Sequence, residues 1–372
     1  MIRVLVVDDS GFMRIALRQI IEADGDLEVI GEARTGTEAI ELAQQLKPDV
    51  ITMDVEMPEM DGIEATKRIM SSSATPPRIV MVSNHTQAGA DAAIKALSHG
   101  AVDFMSKSSN FVKTDLGMLD AELRAKLRLW GERRIAPRRD RPNFVSPSAQ
   151  APMRPPVAAP SGPPPRLPEP SARPATGPVD LIVVAVSTGG PQTLPEILGH
   201  MGRVAAPIVV AQHMPELFTH SFAQHLRDDT GLNVREGEHR MELLPNSITL
   251  IPGGRDGILA RVPTGLELRL CKGEGAVHPS ADMLFQSAAA TARHPLAVIL
   301  TGMGSDGTRG ARYFVQRKLP VLVQIPDSCV VGGMPQSAID AGVASDVLTL
   351  EQIGAKLSQL VAASQPWPTG SA

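Results

Sequence analysis

One stretch decides how this chain can fold. Between Pro137 and Pro178 lie 14 prolines in 42 residues, with no apolar periodicity. Proline lacks an amide hydrogen and fixes its own φ, so the stretch can enter neither a helix interior nor a central strand. It has too little apolar surface to bury and reads as an extended tether. The chain must therefore fold as two bodies, one on each side. The expected boundaries are 1–125 for the first body, 126–178 for a helix end and the tether, 179–364 for the second body, and 365–372 for a tail. Residues 131–178 carry eight arginines against three acids, a net of +5; with −4 on the whole chain, −9 remains elsewhere. The tether reads as a solubilising basic spacer.

Composition allows two ordinary cores: 43% of the 372 residues are apolar and 20% are charged. Only 3% are aromatic, which argues against base-stacking modules. The small net charge gives no pull toward nucleic acid or anionic membrane. No run of 18 apolar residues occurs, so membrane insertion is not expected. The opening MIRVLVVDDS reads as a first strand rather than a signal peptide. Cys271 and Cys329 are too far apart in sequence to suggest a disulfide framework or a metal site, and a cytoplasmic setting fits.

Both bodies alternate strand and helix patterns. In the first, Ile2–Val7, Val29–Ala33, Val50–Met53, Ile79–Ser83 and Val102–Met105 read as buried strands. Phe12, Ile15, Ala16, Ile20 and Ala23 recur at helical spacing after the first strand. Five strands alternating with helices predict an α/β fold, a parallel sheet covered on both faces. In the second body, Leu181–Val186, Ile208–Ala211, Ile248–Ile251, Ala297–Thr301 and Val321–Gln324 read as strands. Gly257–Val262 and Leu266–Leu270 flank Pro-Thr-Gly and predict a hairpin.

Asp8 and Asp9 close the first predicted strand, and Asp54 closes the third. Parallel sheets bind ligands beyond the carboxyl ends of their strands. Three carboxylates converging there make a hard oxygen site suited to Mg2+. Ser83 ends the fourth strand and Lys107 follows the fifth, a hydroxyl and a cation able to contact phosphoryl oxygens. With VDDS at 7–10, MDVEMPEMDG at 53–62, MVSNHT at 81–86 and DFMSKS at 103–108, this body resembles the response-regulator receiver family. The resemblance implies a flavodoxin-like (βα)5 fold with Asp54 as phosphoacceptor. It implies Mg2+ held by Asp8, Asp9, Asp54 and the Glu56 backbone carbonyl. Ser83 and Phe104 would be the switch pair and Lys107 the phosphoryl contact. Ser108 stands where the family usually has proline.

In the second body a strand runs straight into Ser187-Thr188-Gly189-Gly190, and a helix pattern follows. Free amides at such a turn can stabilise an oxyanion. Alone, such a glycine-rich turn more often binds phosphate than holds a nucleophile. Two other strand ends add chemistry: His213 lies just past the second apolar run, and Asp306 lies in a glycine-rich loop after a late one. A serine hydroxyl needs a base, and the base needs an acceptor to fix its tautomer. Ser187, His213 and Asp306 supply that chain in an order that differs from the α/β-hydrolase order.

The segments STGGP, AQHMP, HPSADMLFQSA, ILTGMGSDG and SCVVGGMP follow one another from Ser187 to Pro335. They make this body similar to the catalytic domain of the chemotaxis-type protein-glutamate methylesterase family. That resemblance implies a Rossmann-like doubly wound parallel sheet with an added β-hairpin. It assigns Ser187 as nucleophile, His213 as base and Asp306 as orienter. Thr188 and Met303 would flank the site, with the Met303 amide a candidate oxyanion donor. It implies hydrolysis of glutamate methyl esters on chemoreceptor cytoplasmic helices, and deamidation of their glutamines, with no cofactor for hydrolysis. The phosphodonor would be a chemotaxis-type histidine kinase, and the protein a monomer. The receiver is expected to pack over the catalytic edge. Competing readings are a receptor-binding scaffold with a vestigial triad and a small-ester hydrolase under receiver control. His278 suits either a cleft or a structural role.

Overall fold

The computed structural model describes residues 1–84, 86–107, 117–132, 178–201, 205–273 and 277–362. His85, Ser108, most of the tether and the C-terminal tail lie outside the described residues.

The first body runs β1 (Ile2–Val7), α1 (Gly11–Glu22), β2 (Leu27–Ala33), α2 (Gly36–Leu46), β3 (Val50–Asp54), α3 (Gly62–Ser72), β4 (Arg78–Asn84), α4 (Gln87–Ser98), β5 (Asp103–Lys107) and α5 (Gly117–Glu132). Its sheet is wholly parallel in the order β2-β1-β3-β4-β5. Covered on both faces, its central strands are near-continuous Val, Ile and Met runs rather than alternating ones. Ser10, Thr35, Asp61 and Thr86 each cap a helix by accepting the amide three residues on. The apolar spacing predicted α1 correctly but not its face. Leu17, Ile20 and Ile21 are buried, whereas Phe12 and Ile15 are 62% and 60% exposed.

The second body runs β6 (Leu181–Val186), α6 (Gly190–Met201), β7 (Ile208–Gln212), α7 (Phe218–Thr230), β8 (Val234–Glu236), β9 (Met241–Glu242), β10 (Ile248–Leu250), β11 (Arg255–Val262) and β12 (Gly265–Lys272). It continues with α8 (Ala281–Thr291), β13 (Pro295–Ile299), α9 (Thr308–Gln316), β14 (Val321–Gln324), α10 (Gly333–Asp340), β15 (Asp346–Leu348) and α11 (Leu350–Ala362). Seven parallel strands lie in the order β15-β14-β13-β6-β7-β10-β8. The predicted hairpin is β11–β12, and β9 joins it to make a small antiparallel sheet. From β6 the chain moves to β7 on one side and later returns to β13 on the other. The topological switch point therefore falls at β6, where doubly wound sheets bind ligands.

The two bodies touch. α4 packs on α7, where Gln87 Nε2 donates to Ser221 Oγ at 2.9 Å and Ser221 Oγ donates to Asp91 Oδ1. The Phe104 and Phe218 rings stack with centroids 4.6 Å apart and planes within 4°. Gln192 Nε2 donates to the Val102 carbonyl. No helix among the described residues is long and apolar enough to cross a membrane.

Candidate active site and phospho-acceptor site

Ser187, His213 and Asp306 follow three adjacent strands, β6, β7 and β13. Val186 pairs with Gln212, so Ser187 and His213 leave the sheet in register. The ladder extends past both ends: His213 N donates to Val186 O, and Ser187 N to Thr301 O, each at 3.0 Å. The buried Gln212 side chain fastens the two turns, its Nε2 donating to Ser187 O and His213 O at 3.0 Å each. Behind the serine, a Cβ on Gly302 would stand 2.8 Å from Ser187 Cβ, so only glycine lets that loop pass.

His213 Nε2 lies 2.8 Å from Asp306 Oδ2. This leaves Nδ1 as the ring nitrogen free to serve the serine, and Ser187 Oγ makes no hydrogen bond among the described residues. Asp306 Oδ2 also accepts from Ala281 N at 2.7 Å, and Oδ1 accepts from Asp282 N at 2.9 Å and Gly307 N at 3.0 Å. Burial works to raise this carboxyl. The His213 hydrogen bond and the amides of Ala281 and Asp282 outweigh it, holding Asp306 below the ordinary carboxylate range. Gly307, at φ 90°, turns the chain from Asp306 directly into α9, a backbone angle that a side chain would strain. The amides of Thr188 and Met303 donate to nothing among the described residues, and Met303 is exposed beside the site.

Residues outside the predicted set brace this edge. Gln324 Oε1 accepts from Thr301 N at 3.0 Å while its Nε2 donates to Ser328 O at 3.1 Å. His278 Nδ1 meets Asp256 Oδ1 at 2.9 Å, and the same oxygen accepts Ser280 N at 2.7 Å. His278 thus helps anchor the entrance to α8. The motifs HPSADMLFQSA and AQHMP were the only sequence signals for Asp282 and Gln212, and none pointed to Asp256.

On the receiver body, single oxygens of Asp8, Asp9 and Asp54 all lie within 4.8 Å of one another. Lys107 Nζ bridges Asp8 Oδ2 at 2.8 Å and Asp54 Oδ2 at 2.7 Å. Burial pushes the Asp54 carboxyl up to about 6, against the pull of Lys107 and with Asp8 adding to the rise. Burial also works to lower Lys107, but Asp54 and Asp8 together hold it above the ordinary value. A crowded set of hard oxygens with one acid held high by burial fits a divalent cation. Glu56 follows two residues after Asp54, its amide donating to Asp54 Oδ1 at 3.4 Å. The buried Ser83 hydroxyl donates to Asn84 O at 3.3 Å. Phe104, on β5, stacks on Phe218 of the second body.

An acid-cluster α/β body joined to a parallel sheet with serine, histidine and aspartate at its switch point is the layout of a response regulator with a hydrolase output domain. Comparison with known families agrees: the receiver-domain model matches residues 4–114 and the CheB methylesterase model residues 182–357. A protein-glutamate methylesterase/protein-glutamine glutaminase of Saccharophagus degradans is 39% identical over 95% of this chain and 98% of its own length. One from Oleidesulfovibrio alaskensis is 38% identical over 97% and 100%. The chain belongs to this methylesterase/glutaminase family of response regulators. Among solved structures, the Thermotoga maritima CheB catalytic domain is 37% identical, covering 50% of this chain and all of that one with a TM-score of 0.48. The response regulator domain of Thermotoga maritima CheB is 50% identical over 34% of this chain and 94% of its own, with a TM-score of 0.32.

Proposed function

We propose that this chain hydrolyses glutamate methyl esters on chemoreceptor helices, and deamidates their glutamines, under the control of phosphorylation at Asp54. The observation that carries the reading is the convergence of Ser187, His213 and Asp306 on three adjacent strand ends, with histidine on aspartate at 2.8 Å, in a chain of this family.

Ser187 Oγ attacks the γ-carbonyl carbon as its proton passes to His213 Nδ1. Asp306, accepting from Nε2–H, fixes the tautomer and stabilises the imidazolium. The amides of Thr188 and Met303 receive the developing oxyanion. Methoxide leaves with the His213 proton as methanol. Water, giving a proton to His213, then attacks the acyl-enzyme, and Ser187 departs with that proton as free glutamate forms. With a glutamine substrate the same sequence releases ammonia. The hydrolysis uses no cofactor.

Asp8, Asp9, Asp54 and the Glu56 carbonyl would hold Mg2+, which supplies charge neutralisation for a phosphoryl group arriving on Asp54. Lys107 would contact that group, with a histidine kinase as phosphodonor. The functional units are the receiver, 1–125, and the hydrolase, 179–364, acting as a cytoplasmic monomer. Control is supported by where the bodies meet. Gln192 lies five residues past Ser187 and Phe218 five past His213, and both touch the receiver. Docking would close the catalytic edge, and phosphorylation would favour separation by interacting differently with the two states.

The test is methanol release from a methylated receptor by the full chain with acetyl phosphate and Mg2+. Ser187→Ala should abolish release, and Asp54→Asn should remove the response to acetyl phosphate. Full activity in Ser187→Ala would end the nucleophile assignment.

A further inference from the structure

Helices α8 and α9 each supply a carboxylate to the other's N-terminus. Asp306, two residues before α9, accepts the first two amides of α8, from Ala281 and Asp282. Asp282, in the first turn of α8, returns the arrangement: its Oδ1 accepts Gly307 N at 3.1 Å and Gly310 N at 2.6 Å at the start of α9. Gly307 N is shared with Asp306 Oδ1. The first amides of a helix have no partner within it and carry partial positive charge, so each acid finds on the opposite helix what offsets repulsion from the other acid.

Local stability does not demand this exchange. α8 already has a cap of its own, with Ser280 Oγ accepting Met283 N at 3.4 Å. What the exchange adds is a fixed distance between the helix that holds the Asp306 carboxylate and the loop that carries it. The contact is close: a Cβ on Gly310 would come within 2.6 Å of Asp282 O and 2.7 Å of Phe285 Cβ. Arg309 Nε meets the outer oxygen, Asp282 Oδ2, at 3.3 Å. Asp282 touches neither Ser187 nor His213 among the described contacts.

We propose that Asp282 is a positioning residue for the hydrolysis: it ties Gly307 and Gly310 to α8 so that Asp306 stays on His213 Nε2, and it acts on the reaction only through Asp306. The inference rests on the reading of Asp306 as the residue that orients His213.

The experiment is a double-mutant cycle in the full chain, read by the rate of fluorophosphonate labelling of Ser187 and by methanol release from a methylated receptor. Asp282→Ala should slow labelling and lower kcat by about 10- to 100-fold, with KM within about two-fold, because misplacement by an ångström costs that much. Asp282→Asn keeps an oxygen for both amides and should restore the rate to within about five-fold of the parent. In an Asp306→Asn background, Asp282→Ala should cost less than about two-fold more, since its effect runs through a group already disabled. An equal loss in both backgrounds, or no loss in the parent, overturns the proposal. Should Asp282→Ala fail to fold, Gly310→Ala takes its place: it displaces α9 while keeping the carboxylate, and the same non-additivity with Asp306→Asn is required of it. Asp306→Asn alone separates the two readings. If that single variant keeps full labelling, the orienter role itself fails. If it is slow while Asp282→Ala is not, only the role of Asp282 fails.

Discussion

Asp306 is largely buried, yet its carboxyl lies below the ordinary carboxylate value. Protein amides and the His213 ring replace the water it has lost. This sets the sign of a pH effect. The folded chain binds fewer protons at this group than the unfolded chain does near the ordinary aspartate value of 3.8, so stability rises with pH across that interval. The contribution is complete above about pH 5 and is lost as pH falls through 3.8 toward the folded value. The difference in unfolding free energy between the parent and Asp306→Asn should therefore shrink as pH is lowered, measured by urea unfolding between about pH 6 and pH 3. A difference that does not change with pH would contradict this account. At this scale the positions of Ser187, His213 and Asp54 at strand ends, and of Asp306 in a loop after a late strand, were legible in the sequence. Gln212 and Asp282 stood in the segments AQHMP and HPSADMLFQSA, but no role for either was legible there. Their roles depend on partners 25 to 28 residues away, which only the fold brings near.

At the scale of elements, the central strands were readable because burial on both faces demands unbroken apolar runs. The strands Val234–Glu236 and Asp346–Leu348 were not. Each has three residues and carries acids, so neither period nor apolarity marks it, and each lies at an edge of the sheet. In α1 the exposed Phe12 and Ile15 show that apolar spacing can predict a helix without giving its buried face. Loops matter as much as strands at the catalytic edge. Gly302 passes between Ser187 and the buried Met334, and a methyl group there would meet both side chains. Gly302→Ala is expected to lower activity at least about 10-fold, with a destabilisation of about 1–3 kcal/mol from overpacking. Methanol release and thermal unfolding together check this, and an active, stable variant would show that the loop can yield.

At the scale of the whole molecule, the stacked Phe104 and Phe218 rings are the aromatic link between the bodies. Such a pair contributes about 0.5–1.5 kcal/mol beyond the area it covers. Phe104→Ala should therefore raise the activity of the unphosphorylated chain by about two- to ten-fold, read as methanol release without acetyl phosphate. Unchanged activity would mean that the stack does not restrain the enzyme. The division into two bodies was plain from proline content, whereas the surface on which they meet was not, because Phe104, Gln87 and Ser221 carry no local mark of having a distant partner. The long proline-rich segment between the bodies has a consequence for handling the enzyme. A continuous chain holds the receiver beside the hydrolase at an effective concentration that no dilution can reduce, so the restraint proposed above would not weaken on dilution. A single protease cut in that segment would turn restraint into an ordinary bimolecular equilibrium. The nicked enzyme should then gain specific activity as it is diluted, while the intact one does not, and a dilution series of each before and after cleavage would reveal the difference.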